Sequence, residues 1–212
     1  MFKRKKNFLV IFFLLITLTS ISSLSNKVLS DKHSVLKVED IVKLFKEKDF
    51  EKALSSLKLM CNQNNTKAQY LYSQIFYSGK IIPQDFEKAY FWSNIAKLGG
   101  FKKSKTITSL LDETFKEDQK TKINNKIKNF IEKLAMKKNK LAILQIAKWH
   151  LNLSEEIDYT NAYKWYNIAV AMGIKTAIKK RDEMLSELSA EQIIEAQKLS
   201  NEIFNRMNKT KE

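Results

Sequence analysis

The segment Asp49-Phe50-Glu51-Lys52-Ala53-Leu54 recurs 36 residues later as Asp85-Phe86-Glu87-Lys88-Ala89-Tyr90. It recurs again, a further 73 residues on, as Asp158-Tyr159-Thr160-Asn161-Ala162-Tyr163. A self-match at fixed spacing constrains a fold more than any other feature, because it implies stacked copies of one small supersecondary unit. The second interval is close to twice the first, so a degenerate copy is expected between the two. The register of 73 also carries Trp92 onto Trp165, Ala96 onto Ala169, Gly100 onto Gly173 and Ser104 onto Ala177. It reaches as far as Asp118-Gln119, which falls on Glu191-Gln192. Chance does not hold one register over that distance.

Each copy reads as a pair of helices. Over Asp85–Leu98, Phe86, Ala89, Trp92 and Ala96 recur at three- and four-residue steps, one buried helical face. Asp85 is a natural N-cap, its carboxylate accepting from first-turn N–H groups, and Gly99-Gly100 ends the helix. Ala68 to Ser78 forms the preceding helix, with Ala68, Tyr72, Ser73 and Phe76 along one side. Gly79 stops it and Pro83 stiffens the loop. The small residues Ser73, Ala89 and Ala96 let the two helices approach closely, and Phe76 and Trp92 fill the remaining space. Gly 4 and Pro 1 in 212 residues leave too few turn formers for a sandwich or barrel.

These residues resemble the Sel-like repeat, a branch of the tetratricopeptide-related α-solenoids. The matching positions are Ala68, Gly79, Asp85, Ala89, Trp92, Ala96 and Gly100, joined by Ile82-Pro83-Gln84. The family has Leu-Gly where this chain has Tyr72-Ser73, and Tyr where it has Phe76. The later copy matches through Asp158, Ala162, Trp165, Ala169 and Gly173. Its first helix fits through Ala142, Ile146, Ala147 and His150 with one residue deleted from the following loop. The resemblance implies an all-α, short right-handed solenoid of antiparallel helix pairs closed by a C-terminal capping helix. The expected boundaries are a half-repeat over 38–64, a repeat over 65–100, a degenerate Lys-rich helical stretch over 101–141, a repeat over 142–176 and capping helices over 177–206. Ser189 with Gln192 reads as a capping box, and Ile193, Ala196, Leu199 and Ile203 as the apolar stripe of the closing helix. A polar, flexible tail occupies 207–212.

The chain opens with Lys3, Arg4, Lys5 and Lys6, an apolar run from Phe8 to Leu18, and a Ser-rich stretch. Those parts in that order are a secretory signal peptide over 1–25, followed by a linker over 26–37. An uncleaved anchor is the alternative, although Phe8 to Leu24 is only just long enough to span a bilayer. Either way the protein is expected to be exported, periplasmic or secreted. The formal charge of +15 becomes +11 once the four signal cations are removed, since residues 1–25 hold no acid. Residues 101–140 carry twelve Lys against five Asp or Glu, +7 of that total. An exported chain does not ordinarily meet nucleic acid, so the basic stretch points instead to a solvated helix face, or to anionic polymer or membrane surface.

Catalytic chemistry finds little material. One Cys and two His exclude disulfide frameworks and zinc sites. No Gly-rich phosphate loop, HExxH, GxSxG or CxxC is present. No cofactor and no metal are expected. His150 reads as a structural imidazole, Cys61 as a small semi-buried hydrophobe at a helix end, and Trp92 and Trp165 as core. Trp149 is left open between core and ligand stacking. Three glycosylation sequons, at Asn64, Asn152 and Asn208, are expected by chance in so Asn-rich a chain. Sel-like proteins mostly act as adaptors, so the resemblance implies a non-enzymatic scaffold for a protein or peptide partner. A basic binder acting through 101–140 is the alternative, with an enzyme acting on cell-wall material behind it. Lys67, Tyr70, Gln74 and Tyr77 share one face of the first helix, with Leu144, Lys148 and Leu151 at equivalent positions in the later copy. In tetratricopeptide-like stacks that face lines the concave groove, so these seven are the expected partner-binding residues.

Overall fold

A computed structural model describes residues 36–209. The expected signal peptide over 1–25 and its cleavage site lie outside the described residues. Contacts divide the chain between Asp40 and Ile41. The described part of the first unit is residues 36–40, where the Lys37 N–H donates to the Asp40 carboxylate at 2.7 Å. All that follows concerns the second unit, apart from α1, whose first turn lies before that division.

Every described regular element is helical. The order is α1 (Val38–Lys46), α2 (Phe50–Asn62), α3 (Thr66–Ser78), α4 (Phe86–Leu98) and α5 (Ser104–Asp112). Then come α6 (Glu117–Met136), α7 (Lys140–Asn152), α8 (Tyr159–Ala171), α9 (Ala177–Glu183), a 3₁₀ turn (Met184–Glu187) and α10 (Ala190–Lys209). Six starts use one device. Asp49, Asn65, Asp85, Asn139, Asp158 and Ser189 each accept, through the side chain, the N–H three residues on, at 2.9–3.3 Å. Before three of these caps stands a residue in the left-handed region, Lys48 at φ 61°, Asn64 at φ 67° and Lys138 at φ 63°. That conformation is uncommon outside glycine. Each reverses the chain in three residues, and at Asn64 and Lys138 α2 thereby abuts α3 and α6 abuts α7.

Helices α3 and α4 form one tight antiparallel pair, and α7 and α8 form the other. Their seams are built from small residues. Ala68, Ser73, Ala89 and Ala96 are wholly buried in the first pair, and Ala142, Ala147, Ala162 and Ala169 in the second. The loop glycines take positive φ, Gly79 at 64°, Gly100 at 91° and Gly173 at 78°.

Residues 101–141 are not simply a Lys-rich copy of the 36-residue pair. Helix α5 lies on α4, while α6 packs against both α4 and α7; the two do not close on one another as α3 and α4 do. A clean stripe drives this. Ile123, Ile127, Ile131 and Ala135 recur every fourth residue on α6 and are all buried, which turns the lysines outward. The same arrangement returns 73 residues later. Helix α9 lies on α8, and α10, 20 residues long like α6, packs on α8. The structural repeat is thus a four-helix unit, α3–α6 and then α7–α10, and the expected capping helices are the second copy of α5 and α6.

The last helix is nonetheless resurfaced. Where α6 buries Ile131 and Ala135, α10 has half-buried Phe204 and exposed Asn208. Its buried seam is Ala196, Ser200, Ile203 and Met207, so the expected stripe is corrected at Ile193 and Leu199, both only half-buried. Met207 is 1% exposed on a helix that continues to Lys209, so residues 207–209 are not tail. The Ser189–Gln192 capping box is present: the Gln192 N–H donates to Ser189 Oγ, and the Ser189 N–H to Gln192 Oε1.

A buried amide chain fixes the second four-helix repeat against the first. Gln69 Nε2 donates to Asn64 Oδ1, and Asn64 Nδ2 donates to Gln145 Oε1 at 2.7 Å and to Asn139 Oδ1. Gln145 Nε2 in turn donates to the Ile95 carbonyl of α4 at 2.9 Å. Buried amides paired in this way set register, because a slip would break every link at once, although Gln69 Oε1 itself is left without a partner. Asn64 is only 4% exposed, so the first glycosylation sequon is closed by packing.

Candidate functional site

Two concavities stand out, one apolar and one polar. The apolar one lies between α3 and α5 and holds about 480 Å³. Tyr70, Gln74, Ile75, Tyr77 and Ser78 line it from α3, and Thr106, Ile107 and Leu110 from α5. Ile75 and Ile107 are buried and form the floor, while Gln74, Thr106 and Leu110 are exposed at the rim. Both tyrosines are held. The Tyr70 ring sits 4.9 Å from that of Phe101, and the Tyr77 ring 5.7 Å from that of Phe86. Every lining residue is carried by one of the two helices rather than by a loop.

Of the seven expected partner-binding residues, Tyr70, Gln74 and Tyr77 line this cavity. Lys67 is exposed one turn before Tyr70, outside the lining. Leu144, Lys148 and Leu151 are half-buried on α7 and line neither cavity. Lys148 is committed elsewhere. Its Nζ donates to the Leu98 carbonyl at 3.0 Å, placing a cation on the C-terminal end of α4 where the helix dipole favours it. Burial, and then nearby Lys180, hold its pKa below the usual lysine range. Thr106, Ile107 and Leu110 were missed in the sequence because α5 is a single short helix inside the Lys-rich stretch. Their three- and four-residue spacing is the signal that marks them.

The polar concavity, about 340 Å³, opens between α6 and the α7–α8 loop. Trp149 and His150 lie at its back. Trp149 is 5% exposed, donates Nε1–H to the Asn124 carbonyl at 2.9 Å and has the Lys128 ammonium over its ring, which places it in the core. His150 Nδ1 lies 3.1 Å from Asp158 Oδ2. Burial pushes the imidazole pKa down to about 4; Asp158 opposes this, while Lys128 and Lys164 add to it. Burial acts to raise the Asp158 pKa, but hydrogen bonds from the Asn161 backbone and side chain and from His150 outweigh it, and the carboxyl is held below its usual range. That carboxylate caps α8, so the pair is spent on structure.

The sign of its pH dependence follows. His150 is neutral when folded and titrates near 6.5 when unfolded, so the unfolded chain binds the extra proton first. Stability is expected to fall as pH drops from about 6.5 towards about 4. His150→Gln should flatten the melting temperature in that window, and an unchanged slope in the variant would remove His150 as the cause.

The repeat anchors are structural. Trp92, 9% exposed, packs with Tyr72 and Phe130, and Trp165 is 1% exposed. Cys61 is fully buried rather than semi-buried, and burial drives its thiol pKa up, so it has no route to a partner thiol. Among the described residues no group of three or more His, Cys, Asp or Glu is placed to hold a metal. No described helix is long and apolar enough to cross a membrane.

No family model matches the chain, and no curated protein does either. Among solved structures, a protective antigen of uropathogenic Escherichia coli described as displaying an SLR fold is similar over 76% of this chain. The identity is 17% and the TM-score 0.34, and this chain spans 44% of that protein's length.

Proposed function

We propose that this protein is a non-enzymatic scaffold of the Sel-like type, exported to the cell envelope, that holds a peptide or partner protein in the groove between α3 and α5. The carrying observation is the groove itself: an apolar cavity with a buried floor and an exposed rim of Gln74, Thr106 and Leu110 on fixed helices. Pre-formed apolar concavities between helices are where repeat folds take extended segments. The signal-like N-terminus supports export. The alternative of a basic binder acting through 101–140 is weakened on α6, where Lys120, Lys122 and Lys126 pair with Glu117, Asp118 and Glu87.

Gln74→Ala with Leu110→Ser tests the groove, because both residues are exposed and their loss leaves the core intact. The pair should abolish capture from an envelope extract while circular dichroism and melting temperature stay at the parent's values. Changing Tyr70 instead would confound the test, since its ring packs on Phe101. Undiminished capture by the double variant would place the binding surface elsewhere.

A further inference from the structure

We infer that the occupant of the α3–α5 groove is an acidic peptide segment carrying an aromatic or aliphatic anchor, an inference that rests on the groove reading above. The residues framing the groove carry no negative charge. Between Glu51 and Asp85 there is no Asp or Glu, only Lys52, Lys58, Lys67 and Lys80. Between Glu87 and Asp112 there is again none, and five lysines, 88, 97, 102, 103 and 105. Both groove helices thus lie in acid-free sequence up to the last residue of α5. That residue, Asp112, is already occupied by the Tyr90 hydroxyl.

The positive charge is concentrated at one end. Phe101 directly precedes Lys102 and Lys103, and its ring packs on Tyr70 in the second turn of α3. The N-terminal ends of α3 and α5 therefore meet at this end of the groove, bringing both positive dipole ends with them. Lys102, Lys103 and Lys105 are exposed there and make no ion pair with the described residues. Lys103 also continues the stripe of Thr106, Ile107 and Leu110 at helical spacing, so it stands in line with the groove wall. At the other end lie Tyr77 and Leu110, an apolar seat with an exposed leucine. A segment that fits has its carboxylates over Lys102 and Lys103 and its anchor over Ile107 and Leu110. Charge complementarity of this kind selects the partner and its orientation more than it adds affinity.

The test is selection from a displayed library of random dodecapeptides on the immobilised mature protein, followed by affinity measurement on the winners and on oligoglutamate. Selected peptides should carry Asp or Glu beside one aromatic or aliphatic residue. Lys102→Gln with Lys103→Gln and Lys105→Gln should weaken them about tenfold. High salt should do the same, and Leu110→Ser should weaken them as well. Oligoglutamate, lacking an anchor, should bind far more weakly. Apolar winners without acid, indifferent to the lysine changes but lost with Leu110→Ser, would overturn the acidic inference and leave the groove standing. Oligoglutamate binding as well as the winners, unaffected by Leu110→Ser, would overturn both in favour of a plain basic surface. Failure to enrich any sequence would also overturn both.

Discussion

Trp165→Ala is expected to destabilise the protein by about 3–5 kcal/mol, the usual cost of emptying a large aromatic site in a packed core. Trp165 is 1% exposed and sits in α8, the helix against which α7, α9 and α10 all pack. A void there opens in the packed interior, and the small residues lining the α7–α8 seam cannot move in to fill it. Trp92→Ala should cost a similar amount at the equivalent place in α4, where Tyr72 and Phe130 close over the indole. Denaturant unfolding of both variants measures this. A Trp165→Ala protein that unfolds at the parent's midpoint would show that the seam is not the core of the fold.

Gly99→Ala should cost about 1–3 kcal/mol, and Gly99→Val more, although Gly99 has an ordinary helical φ of −74°. The reason is proximity. A Cβ at this position would fall well inside van der Waals contact of Thr66 Cγ2 and 3.0 Å from Gln145 Nε2. Three elements meet there: the end of α4, the start of α3 and the middle of α7. Adding Thr66→Ser removes the nearer methyl group, so the double variant should recover most of the loss with alanine. A double-mutant cycle on melting and urea midpoints measures the coupling. Strict additivity would mean that the approach of α4 to α3 is not what demands glycine. In the second four-helix repeat the equivalent residue is Met172, half-buried.

The helical character, the pairing of helices and most of their ends were legible in the chain, because these depend on local chemistry. Caps lie three residues from the N–H they accept, loop glycines take φ that other residues avoid, and a buried helical stripe recurs at a fixed step whatever surrounds it. The face bearing Tyr70, Gln74 and Tyr77 was legible for the same reason. Tertiary structure alone decided the remainder. The register of 73 could be read from the chain, but that it marks a four-helix unit depends on which helix α5 and α6 lie against. That choice is made by buried surface far apart in sequence, and in α6 a dense lysine face hid the isoleucine stripe that makes it. Only the packing shows that Thr106, Ile107 and Leu110 complete the groove begun by α3, and that Lys148 is drawn to the end of α4 while its counterpart Gln74 stays exposed. The demand for glycine at position 99 likewise arises where Thr66 and Gln145 converge on one backbone, from 33 and 46 residues away along the chain. Local sequence cannot encode such a meeting, because the steric conflict exists only once both four-helix repeats are folded and stacked.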